Sequence, residues 1–119
     1  MNWTILTAAA LTLVVALGVG SADAHSKKEA TIPADGAVLA TSPEMIAMTF
    51  DMPMRVTLIS LTDQDGTEHV LTRSDNMQPV SEFGAEPPAL PSGQYKIEWR
   101  GLAADGHPMQ GTFGFEISN

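Results

Sequence analysis

Tyr95-Lys96-Ile97-Glu98-Trp99-Arg100 alternates apolar and polar side chains, and Thr112-Phe113-Gly114-Phe115-Glu116-Ile117 repeats the alternation beyond residues 101–110. A period of two is the pattern of a strand with one buried face. It puts Tyr95, Ile97 and Trp99 inward on one strand and Phe113, Phe115 and Ile117 inward on the next. Residues 101–110 are then the loop between them at one end of the sheet, with Asp105-Gly106-His107 at its rim. Binding residues are commonly carried on loops held by a rigid base.

Working toward the N-terminus, no long helical periodicity appears, while Gly and Pro recur at short intervals, which predicts many short strands. Lys28–Ile32 reads as a first edge strand ended by Pro33 and the turn residues Asp35-Gly36. In Glu44–Phe50, Met45, Ala47 and Thr49 alternate with Ile46, Met48 and Phe50. Asp51-Met52-Pro53 interrupts that strand, and the β-branched stretch Val56–Thr62 resumes it. Asp65-Gly66 is a hairpin signal leading into Glu68–Thr72. Arg73–Pro91, with Pro79, Pro87, Pro88 and Pro91, reads as loop with one short strand near Val80. The fold class expected is all-β, a small antiparallel sandwich or barrel.

The chain has 119 residues, and its start has the pattern of a secretory leader. An apolar run from Ile5 to Val19 is followed by small residues and by Ala22-Asp23-Ala24, an A-x-A sequence of the kind signal peptidase cleaves. The run is short for a membrane span; the segment before it, Met1-Asn2-Trp3-Thr4, has no Lys or Arg. Residues 1–24 are therefore read as a cleavable signal peptide and 25–119 as one exported, monomeric domain without stable membrane insertion. There is no cysteine, so the domain relies on its apolar core, and thiolate metal sites are excluded. Six Lys and Arg stand against fourteen Asp and Glu, a balance that disfavours nucleic acid and anionic lipid and attracts cations.

Cleavage after Ala24 makes His25 the first residue. A terminal histidine offers its α-amine and its ring Nδ1 to one metal ion in a six-membered chelate ring. Asp105 and His107 can add an oxygen and a third nitrogen. Three nitrogens and a carboxylate in a roughly square arrangement suit Cu(II), which also leads the divalent series at nitrogen sites. Binding has to displace protons from an amine of pKa about 8 and imidazoles near 6.5, so affinity is expected to fall below about pH 6.5.

The mature sequence resembles the CopC-type copper-resistance proteins. The resemblance is carried by His25, Pro33-Ala34-Asp35-Gly36-Ala37, Ser42-Pro43, Thr49-Phe50 and Gly93–Arg100, and ends with Ala104-Asp105-Gly106-His107-Pro108, Gly111 and Phe113-Gly114-Phe115. It implies a Greek-key, Ig-like β-sandwich and an exported, periplasmic protein that carries or buffers one Cu(II), often beside an inner-membrane partner called CopD. Matched residue by residue, the implied ligands are His25, Asp105 and His107.

Two departures are visible. Some relatives place a glutamate after the Phe that ends the second strand; here Met52 aligns there, and Asp51 should face the other way by strand alternation. Others carry a Met- and His-rich central loop for Cu(I). Leu61–Leu71 has only His69 and no Met, which reads as a Cu(II)-only protein. His69 reads as an ordinary surface residue, Trp99 as structural, and Met45 and Met48 as core or half-buried strand positions. Met52, Met54 and Met109 read first as packing and second as thioethers able to assist Cu(I). Two other classes compete. A histidine-brace oxidase of the polysaccharide monooxygenase type shares the terminal His but needs a broad aromatic face, and Phe83 is the one loop aromatic. A metal-free Ig-like binding module is permitted by the fold alone. No sequence feature supplies a general base or a substrate cleft, so the reading is of a non-enzyme.

Overall fold

A computed structural model describes residues 29–119; the expected leader, His25 and Lys28 lie outside the described residues. Every element is a strand: β1 Glu29–Ile32, β2 Ala37–Leu39, β3 Ile46–Asp63, β4 Glu68–His69, β5 Thr72–Arg73, β6 Val80–Glu86, β7 Gly93–Ala103 and β8 Pro108–Ile117. The spatial order is β2-β8-β7-β3-β6-β5, with β1 and β4 also paired to β3. All pairs are antiparallel except β2 with β8, where Ala37, Val38 and Leu39 run parallel to Phe115, Glu116 and Ile117.

The long strand β3 joins two layers. Its first part lies between β1 (Glu29 opposite Phe50) and β6 (Met48 opposite Phe83). Its second part lies between β7 (Leu61 opposite Ile97) and β4. The expected interruption at Asp51-Met52-Pro53 is a bend in a continuous strand, not a break. Pro53 lacks the N–H that a ladder needs, and the register with β6 shifts between Thr49 and Met54. A second irregularity between Val56 and Leu58 turns the buried parity from Met54 and Val56 to Leu61. The sheet curls at these points, so its two halves face each other across one core.

The period-two reading fixes that core. Tyr95, Ile97, Trp99, Phe113, Phe115 and Ile117 are all buried, as are Ile46, Met48 and Phe50 from the other layer. Phe50 meets Trp99 edge to face with ring centroids 5.3 Å apart, and Tyr95 stacks on Phe115 at 5.4 Å. Each fully buried side chain of this size contributes about 1.5–3 kcal/mol. Trp99 lies directly on Gly111, where an added Cβ would sit 2.8 Å from the indole Nε1. The outermost strands have two to four residues, which leaves little exposed edge for unwanted pairing.

Two sequence expectations change. Arg73–Pro91 was expected to be mostly loop, yet it contains the seven-residue β6, which pairs with β3 on one side and β5 on the other. Phe83 on that strand is 2% exposed, so it is a core residue and not a loop aromatic. The ten-residue loop 101–110 shrinks to a tight turn, because β7 runs on to Ala103 and β8 starts at Pro108.

Candidate metal centre

The β7–β8 turn is closed by backbone hydrogen bonds, Ala103 N to His107 O at 2.9 Å and Gly106 N to Ala103 O at 2.8 Å. Gly106 has φ near +90°, in the region that L side chains rarely adopt, so the Asp-Gly pair is chosen by backbone sign. Asp105 then folds over its own turn. Its Oδ1 accepts from the His107 backbone N–H at 3.1 Å, and its Oδ2 lies 2.7 Å from His107 Nδ1. These two contacts, the ring first and the backbone N–H second, hold the Asp105 carboxyl below the usual carboxylate range. An ionised carboxylate only accepts, so Nδ1 carries the proton between them. A metal ion can take that proton's place, binding Nδ1 and Oδ2 together. Alternatively, it can bind Nε2 while the carboxylate fixes the ring.

Asp105 and His107 stand on a hollow of about 380 Å³ whose other walls are Phe50, Asp51, Met52, Met54, Ala103 and Met109. Its lining holds two carboxylates, an imidazole and three thioethers, with no Lys or Arg, a donor set suited to a metal cation and hostile to an anion. The bend in β3 creates it: residues 51–53 are all exposed, so alternation lapses and both Asp51 and Met52 reach the same hollow. The strand-parity argument that set Asp51 aside does not hold at a bend. Among the described residues, no three His, Asp or Glu side chains converge as a metal set. Asp105 and His107 lie side by side, hydrogen-bonded to each other, while His25 lies outside the described residues. A larger hollow of about 490 Å³ lies on the outer face of β7 and β8 around Leu58, Glu98, Arg100, Gln110 and Thr112. It mixes both charges and offers neither imidazole nor thioether, so the chemistry belongs to the smaller one.

His69 is not an ordinary surface residue. Its Nε2 lies 3.0 Å from Asp63 Oδ2, and its ring meets Tyr95 edge to face at 5.8 Å. Asp63 is held below its ordinary range by His69 and by the backbone N–H groups of Asp65 and Thr67. This group ties the β3–β4 turn to β7, opposite Tyr95 in the ladder, and works as a structural clasp. Met54 and Gly101 were missed by sequence reasoning as a pair. The only sign was a glycine at an inward parity position of β7.

The CopC domain family matches residues 28–118 of this chain. The chain is 31% identical to copper resistance protein C of Escherichia coli over 96% of its own length and 98% of that protein's. It resembles the solved CopC of Methylosinus trichosporium OB3b, with 24% identity over 74% of this chain and 88% of that one and a TM-score of 0.63. It also resembles PcoC, a methionine-rich copper resistance protein from Escherichia coli, with 22% identity over 75% of this chain and 94% of that one and a TM-score of 0.56. The two structural likenesses speak for the fold, a curled β-sandwich of the kind derived above. Matched by family over nearly all its described length and by a curated relative end to end, this chain belongs to the CopC family of copper resistance proteins.

Proposed function

We propose that the exported chain, cut after Ala24, binds one Cu(II) through the amine and Nδ1 of His25, an Asp105 oxygen and a His107 nitrogen, and buffers or carries that ion in the periplasm. The observation that carries the reading is the pairing of β1 with β3. Glu29 pairs with Phe50, and Phe50 lines the same hollow as Asp105 and His107. Glu29 follows His25 by four residue steps, a reach of roughly 13 Å when extended. That reach starts from the wall of the hollow. The 2.7 Å between His107 Nδ1 and Asp105 Oδ2 supports joint binding. Neighbouring donors about 2.0 Å from one ion at right angles are themselves roughly 2.8–3.0 Å apart.

The role follows from what surrounds the pair. Both side chains are more than half exposed, so an ion held there is accessible to a receiving protein, and a CopD-type inner-membrane protein is the partner proposed. A carrier needs such access and no substrate cleft, and the chain is read as a monomeric binding protein, not an enzyme. The test is a Cu(II) titration of the mature chain, its terminus verified by mass spectrometry, against the same chain carrying one extra N-terminal residue. The extension should cost more than the roughly 10–100-fold that loss of an outer-shell partner costs. Equal affinity in the two forms would end the chelate reading.

A further inference from the structure

The donors least accounted for by a cupric site are the sulfurs. Met52, Met54 and Met109 line the hollow together with His107. Their arrangement depends on one missing side chain. On the inner face of the sheet, Gly101 pairs with Met109 on one side and Val56 on the other, while Met54 pairs with the next inward residue, Ala103. Met54 leans diagonally into the gap, so that a Cβ on Gly101 would meet its Cγ and Sδ at 3.0 Å. Nothing from Gly101 therefore stands between the Met54 thioether and Met109. Met52 adds the third sulfur from the bend, and at 46% exposed it contributes little to the core. Leucine would pack as well as methionine at these places; what methionine adds is a soft, polarisable donor.

We infer that Met52, Met54 and Met109, with the His107 ring at their edge, form a thioether site for Cu(I) in the same hollow as the cupric donors. Thioether sulfur selects Cu(I), whereas amine and carboxylate suit Cu(II), and Asp51 and Asp105 supply a negative field for either ion. The metal arrives already as Cu(I), and no electron transfer at the site is involved. The inference runs against the expectation of a cupric-only protein. It rests on the copper reading above for the identity of the metal, but it does not use the His25 amine.

The test is an anaerobic Cu(I) titration against a chromophoric Cu(I) chelator, run on the mature chain, on the chain with one extra N-terminal residue, and on a Met52→Leu/Met109→Leu double variant. Mature and extended forms should bind Cu(I) alike. The double variant should bind more weakly by on the order of tenfold or more, at least the effect of an outer-shell change, while keeping its Cu(II) affinity. Leucine preserves apolar volume, so the fold should survive. A second measurement needs no substitution. In the unaltered protein, Cu(I) should shift the ε-methyl NMR signals of Met52, Met54 and Met109 and leave those of Met45, Met48 and Met77 in place. Unchanged Cu(I) affinity in the double variant, unmoved signals from the three methionines, or loss of Cu(I) binding on N-terminal extension would each overturn the inference. An extended chain that keeps Cu(I) but never depended on its amine for Cu(II) would sink the chelate reading alone.

Discussion

Arg73 and Asp75 make the best-defined ion pair in the described chain. The guanidinium donates from Nε to Asp75 Oδ1 at 3.0 Å and from Nη2 to Oδ2 at 2.7 Å, while Nη2 also donates to the Val56 carbonyl at 2.6 Å. Its flat face lies 5.2 Å over the Phe83 ring, so one side chain ties a loop to both layers of the sandwich. The Arg73 hydrogen bonds hold the Asp75 carboxyl below its ordinary value. A carboxylate depressed on folding stabilises the fold above its unfolded pKa of about 3.9, and that stabilisation disappears as pH falls through the lower folded value. Asp75→Asn should therefore lower stability at pH 7 by about 1.5–3 kcal/mol, the range for hydrogen bonds to charged groups. The gap from the parent should narrow below about pH 4, where the unfolded chain's carboxyl takes up protons that the folded one still resists, and close as pH falls through the lower folded value. Urea unfolding of both proteins from pH 3 to pH 7 measures this, and a gap that does not depend on pH would refute it. None of this was legible beforehand, because Arg73 and Asp75 stand in a polar, proline-rich stretch that gives no sign of a partner on Phe83 or Val56.

At the scale of the element, the turns show how local chemistry and distant packing share control. Asp63–Thr67 and Ala103–His107 close in the same way, each with a glycine at positive φ in its fourth place and the same two backbone hydrogen bonds. Both were readable from Asp-Gly. The turn Asp75–Gln78 was not. Asn76 and Met77 both have positive φ, 55° and 58°, and Gln78 N donates to Asp75 O at 3.0 Å. Asparagine tolerates that region; methionine does so at a cost of about 1–2 kcal/mol. Arg55 Nη1 donates to the Met77 carbonyl at 2.7 Å, which helps to hold the conformation from outside the turn. Met77→Gly should then raise stability by about 0.5–1 kcal/mol, the relieved strain less the entropy glycine brings to the unfolded chain. Thermal unfolding of the two proteins checks it, and a fall in melting temperature would show that the Met77 side chain does more than occupy the turn. Strand β6 was expected only as a short strand near Val80, and its full length escaped the reading for a related reason: only Phe83 and Ala85 mark its buried face, among Ser81, Glu82 and Gly84. Its place between β3 and β5, not its own composition, makes it a strand.

For the whole molecule, one strand crossing between layers makes one cooperative unit. β3 pairs with β1 and β6 before its bend and with β7 and β4 after it, so neither layer can open without exposing the other's buried face. Trp99 is the only tryptophan among the described residues, and it packs against Phe50 at the junction of the layers. Its fluorescence and the far-UV circular dichroism should be lost together in a single transition as the chain from residue 25 onward unfolds in urea; separated midpoints would mean that the layers unfold independently. The sequence by itself determined the strands whose burial alternates, the Asp105–Gly106–His107 turn and the family resemblance, because period two and the sign of φ at glycine are properties of a few neighbouring residues. Tertiary structure alone decided that β3 bends instead of stopping, that Phe83 is core, and that Met54 packs over Gly101. Those depend on which strands, distant along the chain, curl back to lie side by side, and no local pattern records that.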